Sequence, residues 1–372
     1  MKKIFVPFFL GSLLLAVIQG NCGLICGGKN IMEYIKDLLL PLKNSFFSNR
    51  SSKIIPAMRN IPTFTLPHTG DKIPAVAFGS GSKHRLRKWS DPKLSKDTVD
   101  ETIVKIIMNA LKAGFNHLDT AESYLTRIEI GEALKRSGVD RSKLWITDKY
   151  NQGWILDDGQ VLRSGSPSGP YESLKKGLKM MGLKYVDLFL IHGPYFNPQT
   201  CDITLEEAWK QMERIQKEGL ARNIGVSNFN ASRLKKLYEI ADVKPQIDQV
   251  EYHLYEQEPD LIEFCKDHDI FVEAYTPLTP MFASKVGENR PLNPIIDKLC
   301  YKYHVEPNQL LLRWVYQSGV LPITTSSKLS RMTETFKIFD FELEKTDFDL
   351  LQKVGKSFHY RHYFHNIFEN DH

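Results

Sequence analysis

The stretch "FNHLDTAESY", residues 115–124, ends a short apolar run with an aspartate, a glutamate and a tyrosine in quick succession. A strand leaving a core passes into a polar turn at such a point, which puts Asp119 and Tyr124 where the chain emerges from the interior. Just upstream, residues 98–113 set Val99, Ile103, Ile106, Ile107, Ala110 and Leu111 on one helical stripe, the pattern of a helix packed on a sheet. Downstream, the alternation of strand and helix patterns returns in "LWITDK", "YVDLFLIH", "ARNIGVS", "PQIDQV", "IFVEAY" and "VLPIT". With "AVAFGSG" counted first, eight strand candidates fall within roughly 250 residues, the size of one closed barrel.

Eight such units, with no second independent core, predict an α/β fold of the (β/α)8 TIM-barrel type. A doubly wound open sheet is the alternative. It announces its nucleotide site with G-x-G-x-x-G after the first strand, and "FGSGSKH" lacks the third glycine. Two apolar segments separated by His68, Thr69, Gly70 and Asp71 predict a β-hairpin ahead of the first barrel strand. Thr204 with Glu207 forms a capping-box signal, and Pro170, Pro259 and Pro307 mark other helix starts.

Composition restricts the function classes. The 372 residues are 42% hydrophobic and 25% charged, as in ordinary globular chains, and the net charge of +5 comes without a long basic run or zinc-finger spacing. Nucleic acid is therefore not an expected partner. Of five cysteines, Cys201, Cys265 and Cys300 are widely separated in the expected core and suggest a reducing environment, while Cys22 and Cys26 lie in an amino-terminal extension. Residues 1–20 begin with Lys2 and Lys3, continue apolar to Ile18 and turn small and polar, which reads as a secretory signal or an anchor. Residues 21–60 read as a linker, and 61–372 as the barrel. Asn-x-Ser sequons stand at Asn49 and Asn230. The leader and the core thiols point to different compartments, and membrane association is expected only through the leader.

Side chains at the carboxyl ends of barrel strands meet around one opening. Asp119 and Tyr124 follow the second strand, Lys149 ends the third and His192 ends the fourth. A phenol with an ordinary pKa of about 10 is a poor acid near neutrality, and a neighbouring ammonium eases loss of its proton. Asp119 is expected to orient that ammonium, and His192 to hydrogen-bond an incoming carbonyl oxygen.

The segments "GFNHLDTAESY", "ITDK", "DLFLIHGP", "ARNIGVSNF", "PQIDQVEYH", "VEAYTPL" and "FDFEL" resemble, in order, the successive signatures of the aldo-keto reductase superfamily over residues 63–358. "TDKY", "VKPQ" and "TTSSK" look most like its fungal NADPH-dependent α-keto amide and α-keto ester reductases. The resemblance implies a barrel whose amino-terminal hairpin closes the bottom, and a catalytic tetrad of Asp119, Tyr124, Lys149 and His192 with Tyr124 as proton donor. It further implies that Ser227, Asn228 and Gln249 hold a nicotinamide carboxamide, that Tyr275 stacks on the ring, and that Thr276 and Leu278 also bind the cofactor.

After the eighth strand candidate, Ser326, Ser327, Lys328 and Arg331 gather donors and positive charge at a helix start suited to a phosphate, which favours NADPH over NADH. The family often has Trp after the catalytic histidine. Gly193 stands there in this chain and is expected to remove a wall from the substrate pocket. The tail "SFHYRHYFHNIF" is expected to lie over the mouth, and its His359, His362 and His365 are not expected to bind metal.

The implied activity is NADPH-dependent reduction of a ketone or aldehyde, an α-keto amide, an α-keto ester or a similar small carbonyl compound, to the alcohol. A monomer is the family expectation. The alternatives are a nucleotide-binding regulatory subunit on the same barrel with little turnover, and, from the leader alone, a secreted binding protein.

Overall fold

The computed structural model describes residues 60–364 except 82, 92, 95, 96, 157, 158 and 283–289. The leader-like segment, Cys22, Cys26, Asn49 and His365 lie outside the described residues. No helix among the described residues is long and apolar enough to cross a membrane.

Strands β1 (Thr63–Thr65) and β2 (Lys72–Pro74) pair antiparallel as the expected hairpin. Then come β3 (Ala77–Gly79), β4 (His117–Asp119) and β5 (Trp145–Tyr150). A second antiparallel hairpin, β6 (Gly153–Ile155) with β7 (Val161–Arg163), interrupts the alternation. The chain continues through β8 (Val186–Ile191), β9 (Ala221–Ser227), β10 (Ile247–Glu251), β11 (Phe271–Tyr275) and β12 (Leu321–Thr324). All eight strands read from the sequence, β3, β4, β5 and β8 to β12, pair in parallel in that order and close, β12 returning to β3. This is the (β/α)8 barrel. Strands buried on both faces explain why β5 and β8 carry no exposed residue.

The barrel interior changes character along its axis. At the amino-terminal end, Trp145, Leu188, Ile247, Leu321 and Ile323 pack with Leu66 and Ile73 of the first hairpin, which plugs the bottom. Asp71 and Thr69 in the hairpin turn bind Asn223 at the start of β9, which fixes the plug. At the other end the inward positions are Asp119, Lys149, Gln249 and Glu273. Asp119 is opposite Thr147 and Gln249 is opposite Glu273, and Lys149 lies two residues beyond Thr147 on the same face. Strand register alone thus assembles a polar layer above an apolar one.

The outer helices follow their caps. The predicted stripe forms Glu101–Ala113, starting after residue 98 because Asp100 is the N-cap, its carboxylate accepting from Thr102 N at 2.8 Å. Thr204 and Glu207 make the reciprocal capping box of Leu205–Lys217. Asn230 caps Ala231–Ile240, accepting from Arg233 N at 2.9 Å, so the second sequon's amide serves a helix start. After the helix Lys345–Lys356 the chain turns back toward the mouth. Glu251 accepts from the backbone amides of His362 and Tyr363 at 2.7 and 2.9 Å, and Arg361 pairs with Glu256 and Glu258. His359 is spent on Glu256, at 2.8 Å.

Two features were not read from the sequence: the helix Lys83–Ser90 and the β6–β7 hairpin. The hairpin did have a signal, Asp158-Gly159 between the apolar runs Trp154–Leu156 and Val161–Leu162, which the strand–helix alternation around it obscured.

Closure leaves no room at Gly225 in β9, where a Cβ would lie 2.3 Å from the backbone oxygen of Ile247. Gly225→Ala is expected to lower stability by about 1–3 kcal/mol. Thermal melting checks it, and an unchanged midpoint would refute the close approach.

Candidate active site

Lys149 is fully buried, and its ammonium donates to both Asp119 oxygens at 2.8 and 2.6 Å and to the carbonyl of Thr120 at 3.1 Å. Burial works against that charge. Asp119, with Tyr124 and Glu273, outweighs it and holds the ammonium above the ordinary lysine range. Lys149 Nζ stands 5.0 Å from the centre of the Tyr124 ring, and Tyr124 OH lies 3.5 Å from His192 Nε2. The structure thus brings Asp119, Tyr124, Lys149 and His192 together from β4, the turn after it, β5 and the end of β8.

The protonation states differ in one respect from the expectation. Burial pushes the Tyr124 phenol up, and Lys149's charge and hydrogen bond pull against that without reversing it. The phenol therefore stays protonated at neutral pH, which a proton donor needs. Burial, then the charges of Lys149, Arg85 and Arg127, drive His192 well below its ordinary value, so the imidazole is neutral and donates one N–H.

The second acid of the opening stretch has a supporting role that the sequence reading did not assign. Glu122 accepts from the amide of Asn151 at 3.1 Å and the hydroxyls of Ser166 and Ser173 at 2.8 and 2.9 Å. It ties the Tyr124 turn to the segment following Lys149. Arg127, buried, donates to Asp148 at 3.0 Å and to the carbonyl of Lys149 at 3.3 Å, and so fixes β5 beside the same turn. Asp148 stands next to Lys149 in "ITDK", but only contact with Arg127 gives it this meaning.

The expected carboxamide-binding residues form one network beside the tetrad. Ser227 Oγ donates to the carbonyl of Gln249 at 2.7 Å. Asn228, in the left-handed region at φ 62°, donates to the carbonyl of His192 at 2.8 Å and accepts from Tyr275 OH at 2.7 Å. Gln249 Nε2 bridges Asp119 at 3.0 Å and Glu273 at 2.7 Å. Thr276, also left-handed at φ 52°, leaves its hydroxyl buried without a hydrogen-bond partner, one residue beyond Tyr275. Leu278 follows, half-buried against the core. An orphaned hydroxyl, two amides and an aromatic ring in one arc fit an amide-bearing planar ring and its linker.

Ser326, Ser327, Lys328 and Arg331 lie apart from this network, after β12. Ser326 Oγ accepts from Lys328 N at 3.1 Å, and Ser327, Lys328 and Arg331 are exposed. They offer cationic and hydroxyl donors at the start of the helix Leu329–Thr335, a set that fits a phosphate.

The expectation for Gly193 is corrected. A Cβ there would come within 2.7 Å of Trp154 Cη2, so the missing side chain does not open the pocket. Trp154, from the unforeseen β6–β7 hairpin, stands at that place with its ring edge-on to His192, centroids 6.0 Å apart.

Glu273, missed in the sequence, shares the interior with Asp119, Lys149 and Gln249. Burial, then the charge of Asp119, pushes its carboxyl up to about 8. The native state therefore keeps a proton that the unfolded chain loses near the ordinary value of about 4.3. Stability from this group is complete below that lower value and declines as pH rises toward 8. In Glu273→Gln this decline, up to about 1.4 kcal/mol per pH unit, is expected to disappear. Urea melts across the window check it, and parallel pH profiles of the two proteins would refute it.

The aldo/keto reductase family model matches residues 81–356. The chain is 39% identical over 297 residues to an NADPH-dependent alpha-keto amide reductase of Saccharomyces cerevisiae, covering 78% of this chain and 90% of that protein. It is 37% identical over 296 residues to an NAD/NADP-dependent indole-3-acetaldehyde reductase of Schizosaccharomyces pombe, covering 78% and 95%. Among solved structures, the aldo-keto reductase of Bombyx mori in complex with NADP matches with a TM-score of 0.64 and 29% identity, over 79% of this chain and 92% of that one. A closed eight-stranded barrel, a polar layer at the carboxyl ends of its strands and these likenesses lead to one conclusion: the chain belongs to the aldo/keto reductase family, and it is an oxidoreductase.

Proposed function

We propose that the protein reduces the keto group of α-keto amides, α-keto esters or similar small carbonyl compounds to the alcohol, with Tyr124 as the proton donor. The observation that carries this reading is the buried Lys149, held by both oxygens of Asp119, 5.0 Å from the ring of a protonated phenol that neighbours a neutral imidazole. The likeness to the yeast α-keto amide reductase supports the substrate class.

NADPH, when bound, supplies the hydride. Every other part of the reaction falls to the chain. His192 donates its N–H to the substrate's carbonyl oxygen and polarises the bond. Tyr124 gives its proton to that oxygen as negative charge develops there, and Lys149 stabilises the phenolate left behind. Asp119 keeps the ammonium charged and in place. Ser227, Asn228 and Gln249 would hold the carboxamide of that cofactor, Tyr275 would lie against its ring, and Thr276 and Leu278 would contact the linker. Lys328 and Arg331, with Ser326 and Ser327, would hold the phosphate that distinguishes NADPH from NADH.

Tyr124→Phe is expected to lower kcat for an α-keto ester at least about a hundredfold while NADPH binding, followed by fluorescence, persists. Turnover retained in that variant would sink the proposal. Replacing Lys328 and Arg331 together by Ala is expected to raise KM for NADPH about tenfold or more with little change for NADH. Equal losses for both cofactors would remove these residues from phosphate recognition.

A further inference from the structure

Trp154 belongs to a closed circuit of contacts around the barrel mouth. From Tyr275 the rings run to Tyr363 with centroids 6.1 Å apart, to Phe364 at 6.3 Å, to Trp154 at 4.9 Å and to His192 at 6.0 Å. Asn228 closes the circuit through its bonds to the carbonyl of His192 and the hydroxyl of Tyr275. Tyr124 touches it at His192, with ring centres 5.5 Å apart. A carbonyl group set against Tyr124 and His192 therefore carries its substituents past this collar.

Tyr275 ends β11 and His192 directly follows β8, whereas the other three rings, Trp154, Tyr363 and Phe364, come from the second hairpin and the tail, and backbone geometry commits two of them. Gly153, at φ +89°, has no space for a Cβ, which would meet the carbonyl oxygen of Leu162 at 2.6 Å and the side chain of Thr200 at 2.7 Å. That fit fixes the base of the hairpin carrying Trp154. Phe364 adopts φ 60°, unfavourable for an aromatic residue, and stacks on Trp154 at an interplanar angle of 27°. Gly193 supplies the remaining condition, since any side chain there displaces the Trp154 ring. Among the described residues, the contacts that close the collar involve no acid, lysine or arginine side chain. It offers π faces and ring edges, which favour another aromatic ring in offset or edge-on contact.

We propose that Trp154 is the specificity-determining residue of this enzyme, selecting carbonyl compounds with an aryl group beside the carbonyl over those with a small alkyl group. The assignment rests on the carbonyl-reducing reading of the same site. Ethyl benzoylformate and ethyl pyruvate present the same α-keto ester with a phenyl or a methyl substituent, and each is measured for turnover with NADPH and for equilibrium binding by calorimetry.

The wild-type protein is expected to prefer the phenyl ester in kcat/KM and in affinity. In Trp154→Ala that preference falls about tenfold, mainly through KM, while the NADPH dissociation constant stays the same. Gly193→Ala, which pushes the indole aside, lowers it likewise. An unchanged preference in Trp154→Ala, by turnover or by binding, overturns the assignment. Binding that prefers the phenyl ester and depends on Trp154, without turnover of either ester, supports the collar and sinks the reductase reading instead.

Discussion

The buried ion pair of Lys149 with Asp119 is the interaction on which the site depends. Taking an ammonium and a carboxylate out of water costs several kcal/mol per ion, and their attraction offsets that only with good geometry and further hydrogen bonds. Both conditions are met inside the barrel. The carboxylate is held on both oxygens by Lys149, Gln249 adds a third donor, and the carbonyl of Thr120 takes another ammonium hydrogen. The pair is set by strand register, so no loop movement is needed to assemble it.

Around that pair the structure arranges protonation by burial and charge together. Tyr124 and Glu273 keep their protons, His192 loses its charge, and Lys149 retains its own. The result is a fixed ammonium facing a phenol and a neutral imidazole, with the protonated Glu273 carboxyl behind it. Such an arrangement favours negative charge on the phenol oxygen once a proton leaves, and the low-dielectric surroundings strengthen the effect.

Much of this was legible in the sequence because its cause is local. Apolar runs of strand length, the helical stripe before residue 114 and the capping box at Thr204 each follow from neighbours within one or two turns. Asp119, Lys149 and His192 stood out because each ends an apolar run, and Tyr124 because it follows one within five residues. Trp154 did not, because its hairpin, marked only by Asp158-Gly159, falls outside the strand–helix alternation, and Gly193 read as an opening when it is the space another segment fills. Glu122 and Glu273 looked like ordinary acids on a turn and a strand. Their roles exist only through partners far along the chain, such as Ser173 and Asp119.

The sequence by itself determined the eight strand–helix units and the ends of strands where polar residues gather, since hydrophobic periodicity and cap chemistry act over short separations, while its ordered motifs carried the resemblance to one family. Tertiary structure alone decided which acid stays protonated and which ring stands beside His192. Those outcomes depend on desolvation and on contacts between residues distant in the chain, and neither quantity is defined until the barrel has closed.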